Sequence, residues 1–389
     1  MFSAISACSA LIAVGAVAAQ EPAAPQPVSA AQLKAAIDKL GNLDYAVRTD
    51  ASRLVRRTPA NQAVPALIQA VSDHADGYVR YRALVLLTGF NDPRTKDSMR
   101  ESLASPNDRL RTVAYRFFER NPDPSMLPQF LAALDKEVAE FVRPALVRAL
   151  AAHGSDPRVR QVLLREVGRG EDYFRSAVIE ALGDNKATYA FDALTAVAKL
   201  DGPLQDDAAL ALGKLGDKRA IETLGAIQRT APRPTQPAIA AAICLLGINC
   251  ESHENFLGES LKFAERTQGF QELLRAAAAG LAALGVAGHK EAADRLFAIG
   301  IPANDPTRAP VALALATIAL RATPLMMTTL EQRPDRDKAM AILAEGFDML
   351  EEDLDKERFF ALARRTYWES AADSPRRALM QGLIGKLDF

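Results

Sequence analysis

Along most of the chain apolar residues return every three or four positions, in short stretches separated by polar turns. That is the spacing of amphipathic helices, and no stretch keeps the strict alternation of a strand over a useful length. From Asp44 onward one pattern recurs. An apolar residue followed by Arg opens a helix, and small or branched apolar residues stand four, seven and eight positions after the first member of the pair. Val142-Arg143 is followed in this way by Leu146, Ala149 and Leu150, and Phe174-Arg175 by Val178, Ala181 and Leu182. With Val47-Arg48, Val79-Arg80 and Leu110-Arg111 these pairs form a ladder whose arginines lie 32, 31, 32 and 32 residues apart. The frame continues through Leu204-Gln205 and Gln236-Pro237. A fixed period of this length marks a repeat array, in which each unit buries its apolar stripe against its neighbours.

The turns agree with that reading. Asn121-Pro122-Asp123-Pro124, His153-Gly154-Ser155-Asp156-Pro157 and Gly216-Asp217-Lys218 each stop one helix and start another. Gly supplies a left-handed stop, Asp caps the next helix and Pro fits its first turn. The unit is therefore a helix hairpin of about 31 residues. Ahead of it, Ser29 caps a helix to about Leu40. The start, 1–19, reads as an export signal: the apolar run Ala10 to Val17 leads to Val17-Ala18-Ala19 before Gln20, with no Lys or Arg ahead of it. The run is too short for a membrane span. The expected order is signal (1–19), Pro/Ala spacer (20–30), regular array (31–230), looser continuation (231–332) and a helical cap (333–389) with helices at about 335–350, 356–368 and 375–387. The expected location is periplasmic or extracellular.

The stretch Asp207-Ala208-Ala209-Leu210-Ala211-Leu212-Gly213-Lys214-Leu215-Gly216-Asp217-Lys218-Arg219-Ala220-Ile221 resembles the consensus of HEAT repeats, in the short form of phycobilisome lyase-like proteins. The resemblance implies an all-α, right-handed solenoid of roughly eight or nine helix pairs, with the helix that carries the apolar-Arg pair on the concave side. It also implies that the ladder arginines bond turn aspartates of adjacent units. By the habit of the family, the function is non-catalytic: a scaffold that holds a protein or peptide on its concave face. The alternative is a lyase-like chaperone that cradles a small anionic ligand or prosthetic group in a pocket ringed by Tyr78, Arg80, Arg111 and Arg116.

Composition sharpens the picture in one respect. With 47 basic against 48 acidic residues there is no overall field to draw nucleic acid or an anionic membrane, so neither is an expected partner.

The ladder residues Arg48, Arg80, Arg111, Arg143 and Arg175 have a structural reading, joining repeat to repeat, and a functional one, an anion-binding strip helped by Arg53, Arg116 and Arg148. One-per-repeat periodicity favours the structural reading. Just before the pairs stand Tyr78, Phe141 and Tyr173, with Arg109 in the same column. If exposed they make an aromatic ridge for a partner; otherwise they cover helix ends. Tyr78, Arg82, Arg109, Arg116, Phe141, Arg148 and Tyr173 are the candidate partner residues. Cys244 and Cys250, with His253-Glu254 nearby, read first as a local disulfide, next as buried thiols and last as metal ligands, because their spacing fits no usual zinc pattern. No metal and no cofactor are expected. The four histidines lie in four different units, only His253-Glu254 pairs a His with a Glu, and there is no nucleophile elbow, phosphate loop or metalloprotease helix, so no catalysis is expected.

Overall fold

The computed structural model describes residues 26–303, 305–351 and 353–389. The signal at 1–19, Cys8 and most of the spacer lie outside the described residues. Among the described residues there are helices and turns but no strand.

The helices stand in consecutive pairs. The first five are α1 (Ala30–Lys39) with α2 (Tyr45–Arg57), α3 (Ala60–Asp73) with α4 (Gly77–Leu87), α5 (Arg94–Ser102) with α6 (Asp108–Arg120), α7 (Leu127–Leu134) with α8 (Val142–Ala151), and α9 (Pro157–Val167) with α10 (Asp172–Asp184). Five more follow: α11 (Phe191–Ala198) with α12 (Gln205–Leu215), α13 (Ala220–Gln228) with α14 (Gln236–Leu245), α15 (Cys250–Arg266) with α16 (Gln271–Val286), α17 (Lys290–Phe297) with α18 (Ala309–Arg321), and α19 (Thr323–Gln332) with α20 (Arg336–Met349). The starts are capped as the sequence leads one to expect. Ser29 and Gln32 form a reciprocal capping box on α1, and Asp44, Asp76, Asn107 and Asp156 accept from the first backbone amides of α2, α4, α6 and α9.

The even-numbered helices stack on one another more intimately than the odd-numbered ones do. In a curved array the closer row is the concave one, so the helices with the apolar-Arg pairs line the inside. Small residues make that closeness possible. A Cβ added at Gly213 would lie 2.6 Å from the Cα of Ala242 on the next inner helix, and one added at Gly346 would lie 2.1 Å from the Ala312 carbonyl oxygen. α14 is apolar all round and buried all round. Ile239, Ala242 and Ile243 belong to the core of the first seven pairs, while Ala240, Ala241 and Cys244 belong to the core of the rest.

One finding adds to the sequence reading and one departs from it. α15 is a helix of 17 residues that begins on Cys250. Its apolar positions Leu257, Leu261 and Ala264 have helical spacing, so the signal was present but lay behind the Cys/His cluster. The array also runs further than expected: α20 packs on α18 as an ordinary inner helix, giving ten pairs among the described residues, and only α21 (Leu354–Glu369) and α22 (Pro375–Leu387) remain as the terminal element.

That element does more than cover the last apolar face. α21 touches α18 at one end of the array and α4, α6 and the turn 88–90 at the other, and Leu354 inserts into the core of the first seven pairs. It therefore lies in the concave trough and joins the two ends of the array. No helix among the described residues is long and apolar enough to cross a membrane.

Gly213→Val places a branched side chain where two inner helices meet backbone to backbone. It should lower unfolding free energy by about 2 to 3 kcal/mol; a denaturant midpoint equal to that of the unaltered chain would show that the rows are not this close.

Candidate functional site: the trough and its rim

Arg48, Arg80 and Arg175 turn back onto their own units, while Arg111 and Arg143 also reach the next one. Arg80 Nε donates to the Val71 carbonyl at 2.7 Å, Arg175 Nε to Val167 at 3.0 Å, and Arg48 Nη1 to Asn42 and Leu43 at 2.6 and 3.0 Å. Arg111 Nη1 donates to Ser105 at 2.9 Å while Nε and Nη2 grip both oxygens of Glu137 at 2.8 and 2.9 Å. Arg143 stands 3.5 Å from Glu166 and lies over the Phe174 ring at 4.2 Å. In four of the five, a cation therefore satisfies carbonyls left open where an outer helix or its turn ends, a favourable place for positive charge. The partners are carbonyls, glutamates and, for Arg175, Asp172 of its own helix at 2.9 Å, not the turn aspartates of adjacent units that the family resemblance implied. Gln205 does the same without charge, donating to Ala198 at 3.0 Å.

The arginines one or two turns further on face the trough, where the terminal element meets them. Arg56 holds Glu357 by two parallel bonds, Nε to Oε2 at 2.8 Å and Nη2 to Oε1 at 2.6 Å, and Glu357 is 2% exposed. Arg116 lies 2.8 Å from Asp353 and 3.3 Å from Asp355, and Arg120 reaches Asp355 at 3.0 Å. Arg53 bonds Asp388, Arg364 donates to the Arg56 carbonyl at 2.6 Å, and Arg358 donates to the Leu320 carbonyl at 3.0 Å. Arg364 has its guanidinium pushed down to about 10 by burial and by the neighbouring Arg57 and Arg56. Asp184 closes the other side. It accepts from Lys214 at 2.7 Å, bonds Arg321 from α18, and lies 3.6 Å from Arg148, which also bonds Glu180. Burial alone would lift the Asp184 carboxyl, but Lys214 and Arg321 hold it down to about 2.

These contacts correct part of the expected partner surface. Arg82 is 1% exposed and so presents nothing to a partner. Arg116 and Arg148 are engaged by acidic groups of this same chain, so the concave strip is met by α21 and by Asp184. Sequence alone could not show this, because the acidic groups lie up to about 300 positions away in the chain. Tyr78 is half-buried beside Tyr81, with Arg109 over both rings at 5.8 and 5.5 Å. Tyr78, Arg80, Arg111 and Arg116 therefore do not ring one pocket.

Phe141 and Tyr173 are different. Phe141 is 70% exposed and Tyr173 54%, and their rings meet edge to face with centroids 6.4 Å apart. Phe141 caps α8 and Tyr173 is the second residue of α10, so two successive units place an aromatic at the same corner. Val138, Leu43 and Tyr45, also exposed, stand at the same kind of corner before or at the start of an inner helix. The rim of the trough thus carries an exposed apolar ridge, and Phe141 borders the clefts left between the inner helices and α21.

Cys244 and Cys250 are bonded to each other. His253, adjacent in sequence to Glu254, is not the histidine of this cluster. His289 from the next pair takes that place, with Nδ1 2.8 Å from Glu254 Oε1 and 3.6 Å from Cys250 Sγ.

Stacked helix hairpins with a ladder of carbonyl-binding arginines define the chain as an all-α solenoid. Within that class it carries HEAT repeats: residues 33–119 and 64–151 match the HEAT repeat model, and residues 204–229 match the PBS lyase HEAT-like repeat. No curated protein matches the chain. Among solved structures it is similar to Escherichia coli YibA at 16% identity, covering 57% of this chain and 83% of that one with a TM-score of 0.41. The complex of CpcE and CpcF of phycocyanin lyase from Nostoc sp. PCC7120 is similar at 19% identity, 67% and 97% coverage and a TM-score of 0.41. Kap95p, solved in a study of its binding to RanGDP, is similar at 12% identity, 90% and 62% coverage and a TM-score of 0.44.

Removing one partner of a buried ion pair leaves the other charge without its counter-ion, so Glu357→Ala should cost about 3 to 5 kcal/mol. Urea unfolding measures this, and a loss under about 1 kcal/mol would mean that α21 does not hold the ends together. Asp184 titrates lower in the folded chain than in the unfolded one, where it lies near 3.9. Its contribution is complete above about pH 4 and fades as pH falls toward about 2. Asp184→Asn should cost on the order of 2 kcal/mol at neutral pH and flatten the acid limb of the stability curve between those values; superimposable acid limbs would refute the assignment.

Proposed function

We propose that this chain is an exported, non-catalytic HEAT-repeat scaffold that binds a protein partner along the rim of its trough, with Phe141 and Tyr173 at the centre of the contact. The observation that carries this reading is the exposed edge-to-face pair formed by those two rings from successive units. Large rigid rings give contact area at low entropic cost, and an exposed apolar ridge in a chain of balanced charge is a feature of interaction surfaces. The concave floor, which the sequence reading favoured, has its arginines matched by acidic groups of α21 and by Asp184, so a partner there would first have to displace them. The chaperone reading loses its support because the four residues expected to ring its pocket are directed to different partners. Export rests on the apolar run at 10–17 and the small residues ahead of Gln20.

A photo-reactive amino acid placed at Phe141 or Tyr173 in intact cells should give a discrete protein adduct, and one at Leu164 on the outer helix α9 should not. The adduct should be recovered from the envelope fraction on a chain that begins at Gln20. Equal labelling from all three positions would remove the rim as the binding face, and a full-length chain confined to the cytosol would remove export.

A further inference from the structure

The cluster around Cys244 contains more than a disulfide needs. α14 ends with Cys244 buried in the core, and Asn249, in the left-handed conformation, turns the chain so that α15 begins on Cys250 beside it. One helical turn later Glu254, 7% exposed, lies on the same face, with Oε1 3.9 Å from Cys250 Sγ. His289, at the start of α17, brings Nδ1 to both Cys250 and Glu254. Cys244, Cys250, Glu254 and His289 thus each offer one ligand atom, and the four atoms lie within 4.8 Å of one another. Three separate helix ends converge here, and the buried carboxylate aims at the histidine instead of at solvent.

We propose that these four residues form a zinc site available only to the reduced protein. A tetrahedral zinc ion with bonds of about 2.0 to 2.3 Å needs ligand atoms roughly 3.3 to 3.8 Å apart. The Cys250–His289 distance of 3.6 Å meets that spacing, and the His289–Glu254 distance of 2.8 Å needs only a small opening. The two sulfurs cannot meet it while bonded, because a disulfide holds them about 2.05 Å apart. The bond and the metal therefore exclude one another. A dithiol reductant supplies two electrons: the S–S bond breaks, each sulfur leaves as a thiol with one proton, and the reductant becomes its own disulfide. Zinc entry then displaces both thiol protons, and the thiolates, which favour zinc over harder ions, become its ligands. His289 lies 39 residues beyond Cys250. The expectation of no metal rested on the spacing of neighbours in sequence, and the histidine adjacent there, His253, is not one of the four. This inference does not depend on the rim being a binding face.

The test uses the full chain, reduced by a dithiol under anaerobic conditions, desalted, incubated with zinc and desalted again. Elemental analysis should find about one zinc per reduced chain and none above background on the oxidised chain. His289→Ala and Glu254→Gln should each weaken zinc binding by at least about tenfold, while His253→Ala should leave it unchanged. Cobalt in place of zinc should give a thiolate-to-metal charge-transfer band that Cys250→Ser weakens and Cys244→Ser with Cys250→Ser abolishes. Circular dichroism checks that each variant is folded; Glu254→Gln, nearly isosteric, decides if His289→Ala is not. A reduced wild-type chain that retains no zinc, an oxidised chain that retains as much as the reduced one, or His253→Ala losing zinc as His289→Ala does would each overturn the proposal.

Discussion

The buried pair of Arg56 and Glu357 joins residues 301 positions apart, and most of what distinguishes this chain from an open array depends on it. A solenoid is nearly one-dimensional, since each unit touches only its neighbours and the ends are independent. Here Glu357, Asp353, Asp355 and Asp388 belong to the terminal element, and their partners Arg53, Arg56, Arg116 and Arg120 belong to the inner helices near the start. The first units and the last therefore stand or fall together. A charge pair of this burial is stabilising only when its geometry is complete. The two parallel bonds between guanidinium and carboxylate supply that geometry.

Closure of this kind requires tight curvature, and the curvature comes from small side chains. Glycine and alanine at the inner contacts let neighbouring inner helices approach nearly backbone to backbone, while the outer row stays further apart. The same closeness brings the C-terminal ends of α10 and α18 within reach of each other, so that Asp184 meets Arg321 across the trough. Packing thus determines electrostatics: arginines that would form a basic strip on an open face become the counter-ions of acidic groups from the far end of the chain. The surface left for a partner is the rim, where the turns before the inner helices leave Phe141 and Tyr173 exposed and Phe141 borders the trough.

The cysteine cluster follows the same logic on a smaller scale. α14 is the helix where the two cores meet, and its last turn, the first turn of α15 and the start of α17 come to one point. Loop closure between the helix ends sets two sulfurs side by side. The next unit adds a carboxylate-bound histidine that local sequence could not supply.

The sequence by itself determined the helix hairpin, its period, the caps that start each helix and the stripe that each inner helix buries. Those are local matters, decided by apolar spacing and by residues such as Asp76, Asp156 and Ser29 acting on backbone groups a few positions away. It also placed Phe141 and Tyr173 at one repeat position, since a periodic chain fixes corners as well as cores. Only the tertiary structure decided that α21 lies in the trough, that Arg82 is buried, that Arg116 and Arg148 are already paired and that His289, not His253, joins the cysteines. Each of those depends on which distant units the accumulated curvature brings together, and curvature is a sum over the nine interfaces between successive pairs, which no single stretch of sequence contains.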